Sequence, residues 1–426
     1  MEMSEATKRA LRLTSFWVLL FGTSAILTNC GKSSTQTIGL PPPPPPGQVN
    51  NYVGQPANDS LDTTLWSVTL DHSKNVYSYG LSGSATPTTG SFSNLTGGFQ
   101  VLLGPTGYQS GLALEVPGEA IILRPGDTTT APIFAVEQAF CFAIDGNVKF
   151  LFDLSPGSTQ TNGQAFFGRV YAATDAGGTS WQFNNLTQYQ IPDGKDVPPD
   201  AIFPTYPGSY PGTCSASNGA AAVAAAPLEN FNLTAGGSTY PVPTEYAISP
   251  AGFFFADQSY VNVPSGTGWT IPNISAWGVS EPAAPLAVGG VGTANYVGFL
   301  FEIGQGGGYR TRLVGFGNAP VAGTTMTGGT FPSEDPTQLP TINMSVTFGS
   351  QDPLNNGVYY LAKLTTPADG SLFTSSCSSY GVSQDGAQTC INNAVATVGQ
   401  PNGRYAIVLS AIDTSGHQQM LVLFQQ

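Results

Sequence analysis

From Trp66 onward, apolar and polar side chains alternate with a period of two. Trp66, Val68 and Leu70 alternate with Ser67, Thr69 and Asp71. After a turn at His72–Asn75, Tyr77 and Tyr79 alternate with Val76 and Ser78, and Phe99, Val101 and Leu103 share one face of the next run. A two-residue period belongs to β-strands, and such alternation predicts antiparallel strands with one face in water. Helix-forming runs are scarce: Ala220–Ala226 is the only helix-prone stretch, and Pro227 stops it. The composition agrees. Charged residues are only 9% of the 426, aromatics reach 11%, and the chain carries 52 Gly and 34 Pro. Disordered chains lack aromatics, so this profile fits an all-β protein with many turns.

Turn chemistry punctuates the strands. Asp145-Gly146 supplies the positive-φ pair of a two-residue hairpin, so Gln138–Asp153 reads as a hairpin with Cys141 opposite Phe150. Further strand pairs are expected around Asp175–Gly178, Gly304–Gly308 and Asp413–Gly416. About 14–18 strands follow from this reading. The predicted architecture is an antiparallel meander barrel or sandwich, in one large or two smaller domains, with a β-propeller as the alternative. Ile191–Cys214, rich in Pro, Asp, Gly and Tyr, reads as a long loop. Residues 261–292 form a second irregular stretch between a β domain at 61–260 and a β domain, or its continuation, at 293–426.

The N-terminus has its own logic. Lys8, Arg9 and Arg12 precede about 15 mostly apolar residues, Leu13–Leu27, fewer than the ~20 needed to span a bilayer, so 1–29 reads as an export signal. Leu27-Thr28-Asn29-Cys30 resembles the lipobox of bacterial envelope lipoproteins, with Leu27 at the aliphatic position and Cys30 at the lipidated one. Asn29 stands where that family usually has Gly, Ala or Ser. The resemblance implies acylation of Cys30, palmitate included. Gly31 in place of the retention Asp implies sorting to the outer membrane. Residues 30–60, with the six prolines Pro41–Pro46, read as a tether that is extended in its proline run. Beyond the lipobox, the chain resembles other exported β proteins of the envelope, a resemblance that carries no mechanism.

Four further cysteines remain. Cys377 and Cys390 lie 13 apart in a polar stretch and are expected to pair, which leaves Cys141 with Cys214. No CxxC motif occurs, and the two histidines, His72 and His417, are far apart, so no metal site is expected. Asp193, Asp196 and Asp200 lack the spacing of a calcium loop. His72 and His417 sit in or beside turns and read as solvated. Glu115, Glu137 and Glu302 fall inside strands and read as outward-facing, although a facing pair of them would suit a glycosidase. Gly304–Gly308 lies between strand-like runs and reads as a hairpin turn, not a phosphate loop. Trp269 and Trp277, with Tyr206 and Tyr210, are the candidates for a sugar-stacking platform, because their context looks loop-like.

The net charge is −13 and becomes −14 once residues 1–29, with three basic and two acidic side chains, are removed. Such a surface repels phosphate backbones, so no nucleic acid is expected. The sequence therefore predicts a non-enzymatic envelope lipoprotein without a cofactor. It would be held to the membrane by a lipid and would bind a polysaccharide or another envelope protein, or serve as structure. The alternative is a carbohydrate-binding or carbohydrate-active surface protein.

Overall fold

Strand alternation is realised three times over. The computed structural model describes residues 47–426 apart from 57–64, 95–98, 108, 127–130, 139–140, 155–164, 192–205, 215–224, 236–237, 259–260, 263–269, 272–273, 285–293, 304–308, 320–324, 330–343, 369–376, 378, 383–385, 387 and 413–417. Among the described residues there are 28 strands and one 3-10 turn, Pro401–Gly403, in a single compact unit. The chain is all-β.

The first eight strands close into a barrel. They are β1 (Val49–Pro56), β2 (Trp66–Asp71), β3 (Val76–Leu81), β4 (Thr88–Asn94), β5 (Phe99–Leu103), β6 (Gln109–Val116), β7 (Ala120–Pro125) and β8 (Ile133–Glu137). Each pairs antiparallel with its successor, and β1 pairs with β8 to complete the ring. Gly54 permits that closure, because a Cβ there would lie 1.9 Å from the Phe134 carbonyl oxygen. Eight strands leave an interior just wide enough for side chains. Here Tyr52, Leu70, Tyr77, Leu102, Ile121 and Ile133 are among those that fill it. The first described strand thus starts at Val49, inside the stretch that the composition assigned to the tether. Asn50 and Gln55 looked like linker residues but are buried.

The second sheet has the order β12-β11-β10-β9-β18-β15-β14-β13. Its strands are β9 (Val148–Leu154), β10 (Ala165–Thr174), β11 (Ser180–Ile191), β12 (Tyr206–Thr213), β13 (Ala225–Ala235), β14 (Ser238–Ile248), β15 (Phe253–Gln258) and β18 (Ile274–Ser280). A two-stranded ribbon, β16 (Val261–Asn262) and β17 (Thr270–Ile271), lies between β15 and β18 in sequence. The third sheet runs β20-β19-β28-β27-β26-β24-β22-β21, with β23 on β24 and β25 on β26. Its strands are β19 (Ala294–Ile303), β20 (Tyr309–Ala319), β21 (Thr325–Gly329), β22 (Met344–Thr347), β23 (Ser350–Gln351), β24 (Val358–Pro367), β25 (Ser379–Val382), β26 (Gln388–Gly399), β27 (Ala406–Ile412) and β28 (Gln418–Gln425). In both sheets the end strands approach one another, so each curls into a half-barrel.

Several expectations are corrected. The strand count is higher because many strands are only two to six residues long. The Asp145–Gly146 turn exists, with Gly146 at φ 79°, but it closes no hairpin. β9 already has β10 on one edge and β18 on the other, so no edge is left for residues 141–144. Instead the Ile144 N–H donates to Thr174 Oγ1 at 2.7 Å, and Cys141 is bonded to Cys214. The pairs around Asp175–Gly178, Gly304–Gly308 and Asp413–Gly416 do form, as β10–β11, β19–β20 and β27–β28. Tyr206–Thr213 is a strand, not a loop, and the irregular stretch at 261–292 contains the central strand β18. Ala225 and Ala226, the tail of the helix-prone run, begin β13; Ala220–Ala224 lie outside the described residues.

The expectation of one wet face fails where the three sheets meet. Outward residues of the barrel such as Leu112, Leu114, Ile122, Phe134 and Val136 join one apolar cluster with Phe253, Trp277 and Val279 of the second sheet and with Phe299, Val422 and Phe424 of the third. Three aromatic contacts each tie one pair of sheets. Phe134 stacks on Trp277 at 4.8 Å, Phe99 meets Phe299 edge-on at 5.7 Å, and Phe253 meets Phe424 edge-on at 5.4 Å. The inner face of the second sheet holds its own aromatic stack, with Phe183 on Tyr246 at 4.2 Å and Phe150 on Phe254 at 5.5 Å.

One ionisable group is sealed between the second and third sheets. Asp153 of β9 is wholly buried and accepts a 2.8 Å hydrogen bond from Thr397 Oγ1 of β26. Burial pushes its carboxyl well above the usual carboxylate range, and the bond from Thr397 offsets this only in part. The folded protein therefore keeps a proton that the unfolded chain gives up. The stability contributed by this group is fully present at acid pH and is lost as pH rises from the ordinary carboxylate range through the folded value. Urea midpoints measured across pH should show that decline, and Asp153→Asn should flatten it. Trp277→Ala, which empties the contact between barrel and second sheet, should lower unfolding free energy by about 3–5 kcal/mol.

Candidate functional site

The inward faces of four barrel strands bring polar side chains together at one mouth. In β1, Asn50 shares the inward face with Tyr52; in β6, Glu115 follows Ala113; in β8, Glu137 follows Ala135; and His72 continues the inward row of Val68 and Leu70 past the end of β2. Register places them at the same end. Asn50 pairs with Leu70, Tyr52 pairs with Glu137, and Glu115 pairs with Ile121 just inside β7.

Glu115 is the hub. Its side chain is fully buried. Asn50 Nδ2 donates to Oε1 at 2.8 Å, Tyr52 O–H donates to the same oxygen at 2.5 Å, and His72 Nε2 lies 2.8 Å from Oε2. Asn50 is itself fixed by the Gly47 N–H on Oδ1 at 3.1 Å, and Tyr52 by the Gly118 N–H on its hydroxyl oxygen at 3.2 Å. The His72 ring meets Phe92 edge-on at 5.3 Å. A buried carboxylate survives when its lone pairs are met, and both oxygens of Glu115 have partners. Burial raises the Tyr52 phenol well above its ordinary range, and the charge of Glu115 adds to this.

Two more carboxylates stand beside the hub. Glu137 is pushed up to about 7, first by burial and then by repulsion from Glu119. Glu119, in the turn between β6 and β7, is raised by burial, while Asn402 Nδ2 donating to Oε1 at 2.7 Å and the nearby Arg404 work the other way. The Asn402 N–H also donates to the Ala251 carbonyl at 3.1 Å, so this one residue of the third sheet touches both other sheets. Among the described residues, no three His, Cys, Asp or Glu side chains converge to hold a metal ion. The arrangement can accept hydrogen bonds and positive charge. Glu115 itself is not free to act as a nucleophile, because both of its oxygens are engaged.

A second polar cluster lies on the inner face of the third sheet. Glu302 of β19 receives Arg310 Nε at 2.7 Å, Arg312 Nε at 3.3 Å and Gln419 Nε2 at 2.8 Å, and Asn392 Nδ2 holds Gln419 at 2.9 Å.

The residues singled out by sequence fare unevenly. Glu115 and Glu302 are buried hubs, not outward-facing positions, and His72 is a half-buried partner of Glu115, not a free turn residue. Trp277 is corrected outright: it lies on a strand, is 1% exposed, and its ring face is covered by Phe134. Tyr206 and Tyr210 sit on β12, opposite Leu186 and Phe183. Cys141 pairs with Cys214 and Cys377 with Cys390, with sulfurs 1.98 and 2.03 Å apart. Cys30, Trp269, Asp193, Asp196, Asp200 and His417 lie outside the described residues. Asn50 and Tyr52 were missed because they fall in the supposed tether. The available signal was Asn-x-Tyr at strand spacing just before Val53. For Glu115 the signal was a lone acid inside the apolar run Leu112–Val116, a strand with no wet face.

No protein-family model matches the chain, and no curated protein matches it. Among solved structures, the chain is similar to transferrin-binding protein B of Haemophilus parasuis Hp5 in two mutant forms. One is 9% identical, with TM-score 0.28, covering 90% of this chain and 76% of that one; the other is 8% identical, with TM-score 0.27, covering 92% and 78%. Isotype 1 of transferrin-binding protein B from serogroup B Neisseria meningitidis is 10% identical, with TM-score 0.26 and coverage of 89% and 77%. TM-scores this low carry no functional weight.

Glu115→Ala would leave the Tyr52 hydroxyl, the Asn50 amide and His72 facing one another without an acceptor. It should lower unfolding free energy by about 3–5 kcal/mol, the usual cost of breaking a buried charged cluster. Chemical denaturation monitored by tryptophan fluorescence measures this.

Proposed function

We propose that the chain is an exported lipoprotein of the bacterial cell envelope, anchored to the outer membrane through Cys30, with a non-catalytic binding or structural role. The anchor rests on the signal-like residues 1–29 and on Leu27–Cys30. Residues 31–48, which include the prolines Pro41–Pro46, separate that cysteine from the first barrel strand at Val49. Several acyl chains on one residue make attachment stable, whereas a single chain is marginal.

The non-catalytic reading is carried by the barrel interior. It is packed with side chains, and its central carboxylate is consumed by internal hydrogen bonds. A glycosidase needs two carboxyl groups free to act on opposite sides of a bond, and Glu302 is tied up in its own cluster of arginines. The sugar-platform alternative loses Trp277 to the core. The outward face of β6–β8 is covered by protein, which argues against a barrel bathed in lipid.

Cys30→Ser tests the anchor. Expressed in a bacterial host, the wild type should enter the detergent phase on Triton X-114 partitioning and incorporate labelled palmitate. The variant should stay aqueous and unlabelled. Identical partitioning and labelling of the two would refute the reading.

A further inference from the structure

The barrel mouth has a surplus of acceptors and of negative charge that its own residues do not balance. Glu137 Oε2 is buried and has no donor among the described residues. Gln100 adds a second, independent acceptor. It is 5% exposed, shares the inward face of β5 with Leu102, and its Oε1 also has no donor among the described residues. Register sets Gln100 opposite Ala113, two residues before Glu115 on the same inward row, so its carbonyl belongs to the same polar end of the interior. A buried amide oxygen without a donor carries a desolvation penalty that a ligand N–H can remove.

Charge points the same way. Glu115, Glu119 and Glu137 gather here against His72 and the single guanidinium of Arg404. Nearby Lys74 is turned outward, 74% exposed, and bound to Asp71 at 3.0 Å. A metal ion does not fit, because no three ligating groups converge among the described residues. A compact cation that donates several hydrogen bonds in different directions matches acceptors carried on different strands, Gln100 on β5, Glu115 on β6 and Glu137 on β8. Guanidinium, with its flat fork, suits one bidentate carboxylate better.

We propose that this mouth binds a primary alkylammonium group, from either a free polyamine or a lysine side chain of a partner protein, held between Glu137, Gln100 and the Glu115 cluster. The proposal gives a ligand class to the binding role above and rests on that role. It does not involve Cys30, so the two tests fail independently.

The test uses the full-length protein in detergent at pH 7.5, with thermal unfolding followed as n-butylammonium, spermidine or Nα-acetyl-lysinamide is added. Tetramethylammonium, which carries the charge but no N–H, is the control. The expected result is a saturable rise in Tm with the primary amines and none with tetramethylammonium. Glu137→Gln and Gln100→Leu should each weaken the apparent affinity at least tenfold, while Asp145→Asn, an exposed acid elsewhere, leaves it unchanged. Circular dichroism checks that each variant is folded, and either variant alone suffices. A stronger response to acetyl-lysinamide than to spermidine assigns the site to a protein lysine, and the reverse assigns it to a free polyamine. The proposal is overturned if no primary amine shifts Tm. It is equally overturned if tetramethylammonium shifts it as much, or if both variants keep the wild-type response, since the effect is then general screening of an acidic chain.

Discussion

The structure depends on one apolar seam shared by three β-sheets. A lone sheet with one greasy face must find a cover, and here each sheet covers the other two. The aromatic contacts Phe134–Trp277, Phe99–Phe299 and Phe253–Phe424 form a closed triangle of these dependencies. Removing any side of it uncovers two faces. The barrel is therefore more than a container: its outer wall is as much core as its interior, and strands β6–β8 are dry on both sides.

Such a dry interior forces polar groups into defined places. The few buried acids are each solved differently. Glu115 gathers neutral donors and a histidine, Glu302 gathers arginines, and Asp153 holds on to a proton under a threonine hydroxyl. Glu137 is solved least, since it lies half-buried beside another acid and its Oε2 has no donor among the described residues.

Fold class was legible in the sequence because period-two alternation and turn chemistry are local signals, and the hairpins at Asp175–Gly178 and Asp413–Gly416 followed from them directly. The failures share a cause. The hairpin expected at Asp145–Gly146 obeyed local turn rules, but both edges of β9 were claimed by strands distant in sequence. Trp277 looked exposed because Gly and Pro surround it, yet the strand it occupies is held in mid-sheet by β9 and β15. The candidate site was hardly legible at all. Its members come from residues 50, 52, 72, 100, 115 and 137, and only barrel closure brings them together. Asn50 and Tyr52 were hidden further by an Asn/Gln/Gly-rich context that resembles linker.

Strand order sets when each part of the molecule can exist. The barrel is a run of neighbours, β1 to β8, complete once residue 137 is available. The third sheet is the opposite. Its innermost partnership sets β28 between β19 and β27, so residues 418–425 fill the middle of the sheet and not its rim. A nascent chain emerging N-terminus first would thus assemble its first ring early. It would then carry β19 with one flank bare until the final strand arrives, the interval in which a holdase or a mispaired neighbour has its opportunity.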